Sequence, residues 1–313
     1  MSAVRRILVT GAGGFVGAHL VPRLRAAFPQ AELTLCTAGR HALDITDAQA
    51  VRDLVERSRP EACIHLAAVA AVPAARGNPG LAWQVNLHGT LGLAAALLAA
   101  APDCVLLYVS SAEIYGRSFR AGAPLDETAP AAPMNTYAAT KAAADLALGA
   151  MVSEGLRVVR LRPFNHTGPG QSADFVVPAF ARQVARIAAG LQAPVLDVGA
   201  LDPARDFLDV RDVCDAYVAC LEHASGLAAG SIFNIASGTP RRIGDILDRL
   251  LALGGVSAEV RTGAALLRPA EIPVACGQAR AARAALGWAP MIPWDQTLRD
   301  VLADWTGRVR AEA

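Results

Sequence analysis

The chain has 313 residues, 53% hydrophobic and 18% charged, which suits one large α/β unit, or a nucleotide-binding domain with a smaller appendage, better than several independent domains. Lys and Arg number 29 against 28 Asp and Glu, so no global basic field points to nucleic acid or an anionic membrane, and any anion must be held by local arginines. Six scattered cysteines without metal-ligand spacing predict buried, reduced thiols and no metal, and an apolar run at Leu91 to Ala101 too short for a bilayer, with no signal peptide, predicts a cytoplasmic protein away from membranes.

In chain order, Arg5 to Thr10 reads as a short apolar strand, Gly11 to Gly17 as a turn, and Ala18 to Phe28 as a helix that stops before Pro29. The strand and helix pattern then repeats: Glu32 to Cys36 with Asp47 to Arg57, Ala62 to Leu66 with Leu81 to Ala100, Val105 to Ser110 with Thr136 to Ser153, and a fifth strand at Arg157 to Arg162. Such alternation predicts an α/β fold, a Rossmann-type doubly wound parallel sheet covered by helices on both faces. After Gly170 the pattern loosens into helices near Val176 to Ala189, Val210 to Glu222 and Ile243 to Leu253, separated by short strands. The expected division is a dinucleotide-binding domain over 1–170, with some later segments returning to it, and a smaller α/β substrate-capping domain over 171–313, with a cleft between them.

Thr10-Gly11-Ala12-Gly13-Gly14-Phe15-Val16-Gly17 follows the first strand and opens the first helix. Glycines at those points let the backbone turn tightly, approach a pyrophosphate and pack the helix against the sheet, so the pyrophosphate is expected at this helix N-terminus. The second strand ends without the acid that many NAD enzymes use on the adenosine ribose, and Arg40 stands nearby instead. Arg40 could meet a 2′-phosphate, which favours NADPH and leaves NADH as the other candidate. Asp44 and Ile45 are placed to touch the adenine. His65-Leu66-Ala67-Ala68 ends the third strand beside the phosphates, with His65 read as packed rather than catalytic. Further on, Tyr137 and Lys141 lie four residues apart on one helical face, where a positive charge would bring a phenol closer to working range as a proton donor. Ser110-Ser111-Ala112-Glu113 lies a short way upstream.

Together these residues resemble the extended short-chain dehydrogenase/reductase family, whose members work mostly on nucleotide-linked sugars. The resemblance implies that Tyr137 exchanges a proton with the substrate oxygen, that Lys141 lowers its pKa and holds the nicotinamide ribose, and that Ser111 hydrogen-bonds the same oxygen. It also implies that Asn86 organises the site, and that Gly11, Gly14, Phe15, Val16, Gly17, Leu66, Ala67, Ala68, Ser110 and Pro163 line the cofactor. A narrower resemblance starts at Arg162-Pro163-Phe164-Asn165-His166-Thr167-Gly168-Pro169-Gly170-Gln171 and continues through Arg205-Asp206-Phe207-Leu208-Asp209 and Arg268-Pro269-Ala270-Glu271. It is similar to the GDP-4-keto-6-deoxy-mannose reductases. By that resemblance Arg205 and Arg268 clamp the diphosphate, Glu271 takes a ribose hydroxyl, Asn165 contacts the sugar or its phosphate, and Val177 lies against the base. The implied reaction reduces the C4 ketone of a GDP-linked 4-keto-6-deoxy sugar, giving GDP-rhamnose first and GDP-6-deoxy-talose second. Glu113 keeps a dehydratase or epimerase as the alternative, since a carboxylate there could remove the proton beside the ketone. A non-catalytic nucleotide sensor is the reading from another class. A homodimer is expected through the helices at Leu91 to Ala101 and Thr136 to Ser153.

Overall fold

The computed structural model describes residues 4–37, 43–263 and 272–312. Strand β1 (Arg6–Thr10) is buried from Ile7 onward and sits between β2 (Glu32–Cys36) and β3 (Ala62–His65). With β4 (Val105–Val109), β5 (Val158–Pro163) and β9 (Ile232–Ile235) these form a six-stranded parallel sheet in the order β2-β1-β3-β4-β5-β9. The chain winds one way from β1 to β2 and the other way from β3 onward. Beside β1 there is therefore a switch point, and crevices form at the carboxyl ends of the strands on such sheets.

Successive strand residues point to opposite faces. Ile7, Val9, Ile64, Leu107 and Leu161 face α1 (Phe15–Ala27) and α8 (Val210–Glu222), and form one core with them. Leu8, Cys63, Leu106, Tyr108 and Val158 face the other way, against α2 (Ala48–Ser58), α5 (Thr90–Ala100) and α6 (Thr136–Ala150). Both α8 and β9 come from beyond residue 170. Two short helices, α3 (Val72–Gly77) and α4 (Pro79–Trp83), and a π-helical turn at Gln84–Gly89 lead into α5. Pro79–Ala100 is thus one helical stretch of 22 residues with mean hydropathy 1.2, long and apolar enough to cross a membrane by length and composition, where the sequence pointed to an 11-residue run. Here it packs against α2 and α6.

A separate core joins α7 (Val176–Ala188), α9 (Ile243–Gly254) and α11 (Trp294–Glu312) with β7 (Val195–Val198) and Phe207. Helix α11 was absent from the sequence-based expectations, although Leu298, Val301, Leu302, Trp305 and Val309 form a helical stripe after Pro293. A small sheet built on β8 (Ala204–Asp209) connects the two parts: β6 (Asn165–Thr167) and β12 (Val274–Ala275) run parallel to it, and β10 (Pro240–Arg242) runs antiparallel. All six cysteines are free, and all but Cys36 are buried.

Candidate active site

At the carboxyl end of β1 the glycines do what the sequence asked of them. Gly11 has φ +70, and a Cβ there would lie 2.7 Å from the Ala67 backbone nitrogen; on Gly17 it would lie 2.3 Å from the Ala12 carbonyl oxygen. The turn therefore rides directly on the end of β3, and α1 packs against its own approach. Gly14 caps α1 with extended backbone, and Ala12 N–H donates to the Cys36 carbonyl at 2.9 Å, tying the turn to β2. The first N–H groups of α1 lack intrahelical acceptors, an arrangement suited to an anion. Phe15 stacks on His166 at 6.3 Å and meets His19 edge-on, while His19 Nε2 lies 2.8 Å from the Pro169 carbonyl. Its ring thus holds the segment after β5, and Phe15 and Val16 have main-chain groups to offer a ligand.

Leu66 N–H donates to the Thr10 carbonyl, and Ala67 N–H reaches the Thr10 hydroxyl. His65 is buried between the Thr10 hydroxyl at 2.6 Å and the Thr90 hydroxyl at 2.9 Å, and burial pushes its pKa down to about 3, so it is a neutral packing residue. Ile45 is buried with its side chain and carbonyl against Gly89, while the exposed Asp44 accepts from the Thr46 N–H and hydroxyl. Arg40, Arg268 and Glu271 lie outside the described residues. Ser110, at the end of β4, is 2% exposed, yet its Oγ has no partner among the described residues. A buried hydroxyl without a partner beside a glycine cradle fits a dinucleotide, and Ser110, Pro163 and the glycine turn would hold it.

Ser111 caps a 3₁₀ stretch (Ala112–Ala121), its Oγ accepting from the Glu113 N–H at 3.1 Å. Tyr137 lies in the first turn of α6, whose cap Asn135 accepts from the Ala138 N–H at 2.8 Å and donates to Glu113 at 3.4 Å. The Ser111 hydroxyl favours the charged form of the phenol and opposes the effect of burial on it. Asn135 did not figure among the expected site residues, although Asn just before a helical pattern is a capping signature.

The phenol was expected to come closer to working range; burial instead pushes its pKa up to about 12, the Ser111 hydroxyl opposing and Glu113 adding to the rise. Lys141 Nζ donates to the Val109 carbonyl and sits 4.6 Å from the centre of the Tyr108 ring. Burial brings the Lys141 pKa down to about 7, with Asp145, one turn further along α6, holding it up. Lys141 is also the only lysine in the chain; every other one of the 29 basic residues is arginine, a signal in the sequence that was overlooked.

Asn86, in the π-helical turn, accepts from Val69 N–H at 2.8 Å and donates to the Val69 carbonyl at 3.2 Å and the Thr140 hydroxyl at 2.9 Å. It braces the segment after β3 against the catalytic helix; interruptions of this kind recur at functional sites. Arg205 on β8 feels the Glu113 carboxylate, and burial lowers its pKa. Asn165 is exposed on β6, the strand beside β8. Val177 is 1% exposed, its side chain part of the second core, so contact with a base from here would come from the first-turn N–H groups of α7 and from the exposed Phe175.

The comparisons with known proteins agree with this geometry. Residues 7–236 match the model of the NAD dependent epimerase/dehydratase family. A GDP-6-deoxy-D-mannose reductase of Pseudomonas aeruginosa is 41% identical over 310 residues, 98% of this chain and 99% of the relative. A GDP-6-deoxy-D-talose 4-dehydrogenase of Aggregatibacter actinomycetemcomitans is 30% identical over 87% of this chain and 88% of its own length. Among solved structures, RMD from Pseudomonas aeruginosa complexed with NADPH superposes with a TM-score of 0.87 at 38% identity, covering 97% of this chain and 99% of that one.

Proposed function

The chain belongs to the NAD-dependent epimerase/dehydratase family, and on that premise we propose that it is an NADPH-dependent oxidoreductase that reduces the C4 ketone of GDP-4-keto-6-deoxy-mannose. The observation that carries the reading is the Ser111 hydroxyl acting on the Tyr137 phenol, on a sheet whose first strand ends in a glycine cradle and whose fourth ends in a Ser110 hydroxyl without a partner among the described residues, in a chain alike over nearly its whole length to a GDP-6-deoxy-D-mannose reductase.

Reduction of a ketone needs a proton for the oxygen, and Tyr137, held at a pKa of about 12, is protonated at neutral pH and can give it. The Ser111 hydroxyl, which also acts on that phenol, steadies the developing oxyanion. Lys141, anchored on the Val109 carbonyl, supplies a positive charge at the base of the site while its amine is protonated. Asn86 fixes the wall opposite α6. Bound in the cradle, a reduced nicotinamide supplies the hydride. Glu113 and Arg205 flank the sugar, the carboxylate orienting hydroxyls and the guanidinium facing the diphosphate. The product assigned is the 6-deoxymannose, that is rhamnose, epimer. The talose epimer is the second reading, favoured by the likeness to a GDP-6-deoxy-D-talose 4-dehydrogenase.

A homodimer is part of the proposal. Leu81 and Trp83 on α4 and Leu146 on α6 are 44%, 36% and 61% exposed, an apolar face on packed neighbouring helices that a second copy would cover. The test of function is to mix the protein with GDP-4-keto-6-deoxymannose and NADPH, or separately NADH, follow nicotinamide absorbance and identify the sugar by NMR. Oxidation of NADPH with a GDP-6-deoxyhexose product is expected. Turnover of GDP-mannose, or epimerisation of another nucleotide sugar, with no cofactor oxidation would overturn it.

A further inference from the structure

Strand β10 runs antiparallel to β8 with Arg241 directly opposite Arg205. Residues so paired share one face of a sheet with Cβ atoms about 4.5–5.5 Å apart, and like charges placed there repel. Each guanidinium has only carbonyl partners among the described residues: Ala204 and Pro273 for Arg205, Thr239 for Arg241. The next residue shows the contrast. Arg242, on the opposite face of β10, is ion-paired with Asp202 at 2.7 Å and Asp245 at 3.5 Å.

The carboxylate nearest in sequence, Asp206, makes no ion pair with either arginine among the described residues. Asp206 accepts from the N–H groups of Ser237, Gly238 and Gly277 and from the Ser237 hydroxyl, so its oxygens are engaged in holding the loops around β8. Arg241 sits over Trp294, its guanidinium carbon 4.8 Å from the ring centre, and Trp294 packs on Phe207 at 5.7 Å. Burial draws the pKa of both arginines down, with Glu113 opposing the fall at Arg205 and Asp206 opposing it at Arg241. The Glu113 carboxylate acts on both Tyr137 and Arg205, and Arg241 stands across the strand pair from Arg205.

We propose that Arg241 is a second binding residue for the diphosphate of the nucleotide-linked substrate, working with Arg205 from the facing strand while Trp294 orients its guanidinium. This rests on the nucleotide-sugar reading above. Two guanidinium forks suit the oxygens of a diphosphate, and an arginine laid on an aromatic face gives up less freedom on binding. Arg241 went unremarked in the sequence because its relation to Arg205 exists only through the strand register.

The experiment compares wild type with Arg241→Gln and Arg241→Met, the latter keeping an apolar cover on Trp294, with melting temperatures as the check on folding. Inhibition constants are measured for GDP, UDP and dTDP and for the corresponding nucleosides, together with KM for the sugar substrate and for NADPH. The expected result is that a nucleoside diphosphate loses about tenfold or more in affinity in both variants, while its nucleoside and NADPH are affected less than twofold. Equal losses for diphosphate and nucleoside, or no loss for either, overturn the proposal. If GDP fails to inhibit wild type but another nucleoside diphosphate does, and the variants weaken that one, the clamp stands and the GDP reading falls. If no nucleoside diphosphate binds wild type, both fall.

Discussion

Three ionisable groups around the active site are displaced from their ordinary pKa values, and each gives a measurable outcome. Tyr137 stays protonated up to about pH 12, so it is not the group that limits activity near neutrality. Replacing it with Phe should lower turnover by about 10²- to 10⁴-fold, the usual worth of a positioned proton donor. NADPH binding, followed by fluorescence, should survive, and a Tyr137→Phe protein with full activity would remove the mechanism. Lys141 titrates near pH 7, in surroundings that include the neutral His65, the Tyr108 ring and the Asp145 carboxylate. Its charge is lost as pH rises through that value, so a pH profile of kcat should fall on the alkaline side of about 7. His65 acts on stability. Its folded pKa of about 3 lies below the ordinary 6.5, so the unfolded chain binds the extra proton between those values. The stabilisation is complete above about pH 6.5 and drains away as pH falls toward 3. A melting temperature that declines over that window, with a shallower slope in His65→Gln, is the expected result.

Among the elements, α6 carries the most. It presents Tyr137 and Lys141 and is pinned to β5 by Asp145, which is fully buried and accepts from Arg162 Nε at 3.1 Å, Arg162 Nη2 at 2.9 Å and Arg160 at 3.3 Å. Arg162 continues to the Tyr115 hydroxyl, and Tyr115 to Asn234. Asp145→Asn leaves two arginines buried without their anion and should cost about 3–5 kcal/mol by denaturant unfolding. It should also shift the alkaline limb of the kcat profile to lower pH, because the carboxylate that supports the Lys141 charge is gone. Gly17→Ala presses a Cβ into the Ala12 carbonyl; it should cost about 1–3 kcal/mol of stability and weaken NADPH more than the sugar substrate, as read by titration. These elements show what the sequence could carry. The strand and helix alternation, the glycine turn and the Tyr137 helix were legible because local patterns encode them. The direction of the Lys141 amine and the pairing of Arg205 with Arg241 were not, since each depends on how distant segments meet. Helix α11 lay between, its stripe present in the sequence but overlooked.

At the scale of the whole molecule, two cores meet along the small sheet on β8, and β12 of that sheet touches the 3₁₀ stretch that Ser111 caps. Substrate groups can thus be held from one part while the chemistry happens on the other. The exposed apolar side chains Leu81, Trp83 and Leu146, on the neighbouring helices α4 and α6, belong at this scale as well. If a second copy covers them, light scattering behind a sizing column should give twice the chain mass for wild type and a lower mass for Leu146→Glu, while a wild-type monomer at micromolar concentration would remove the dimer from the proposal.

The solitary lysine has a practical consequence. A protein grown on lysine enriched in ¹³C at the ε-carbon would give one side-chain resonance, with no assignment needed, and it would come from the floor of the active site. Its chemical shift would follow the protonation of Lys141 directly and report separately on each ligand as it arrived.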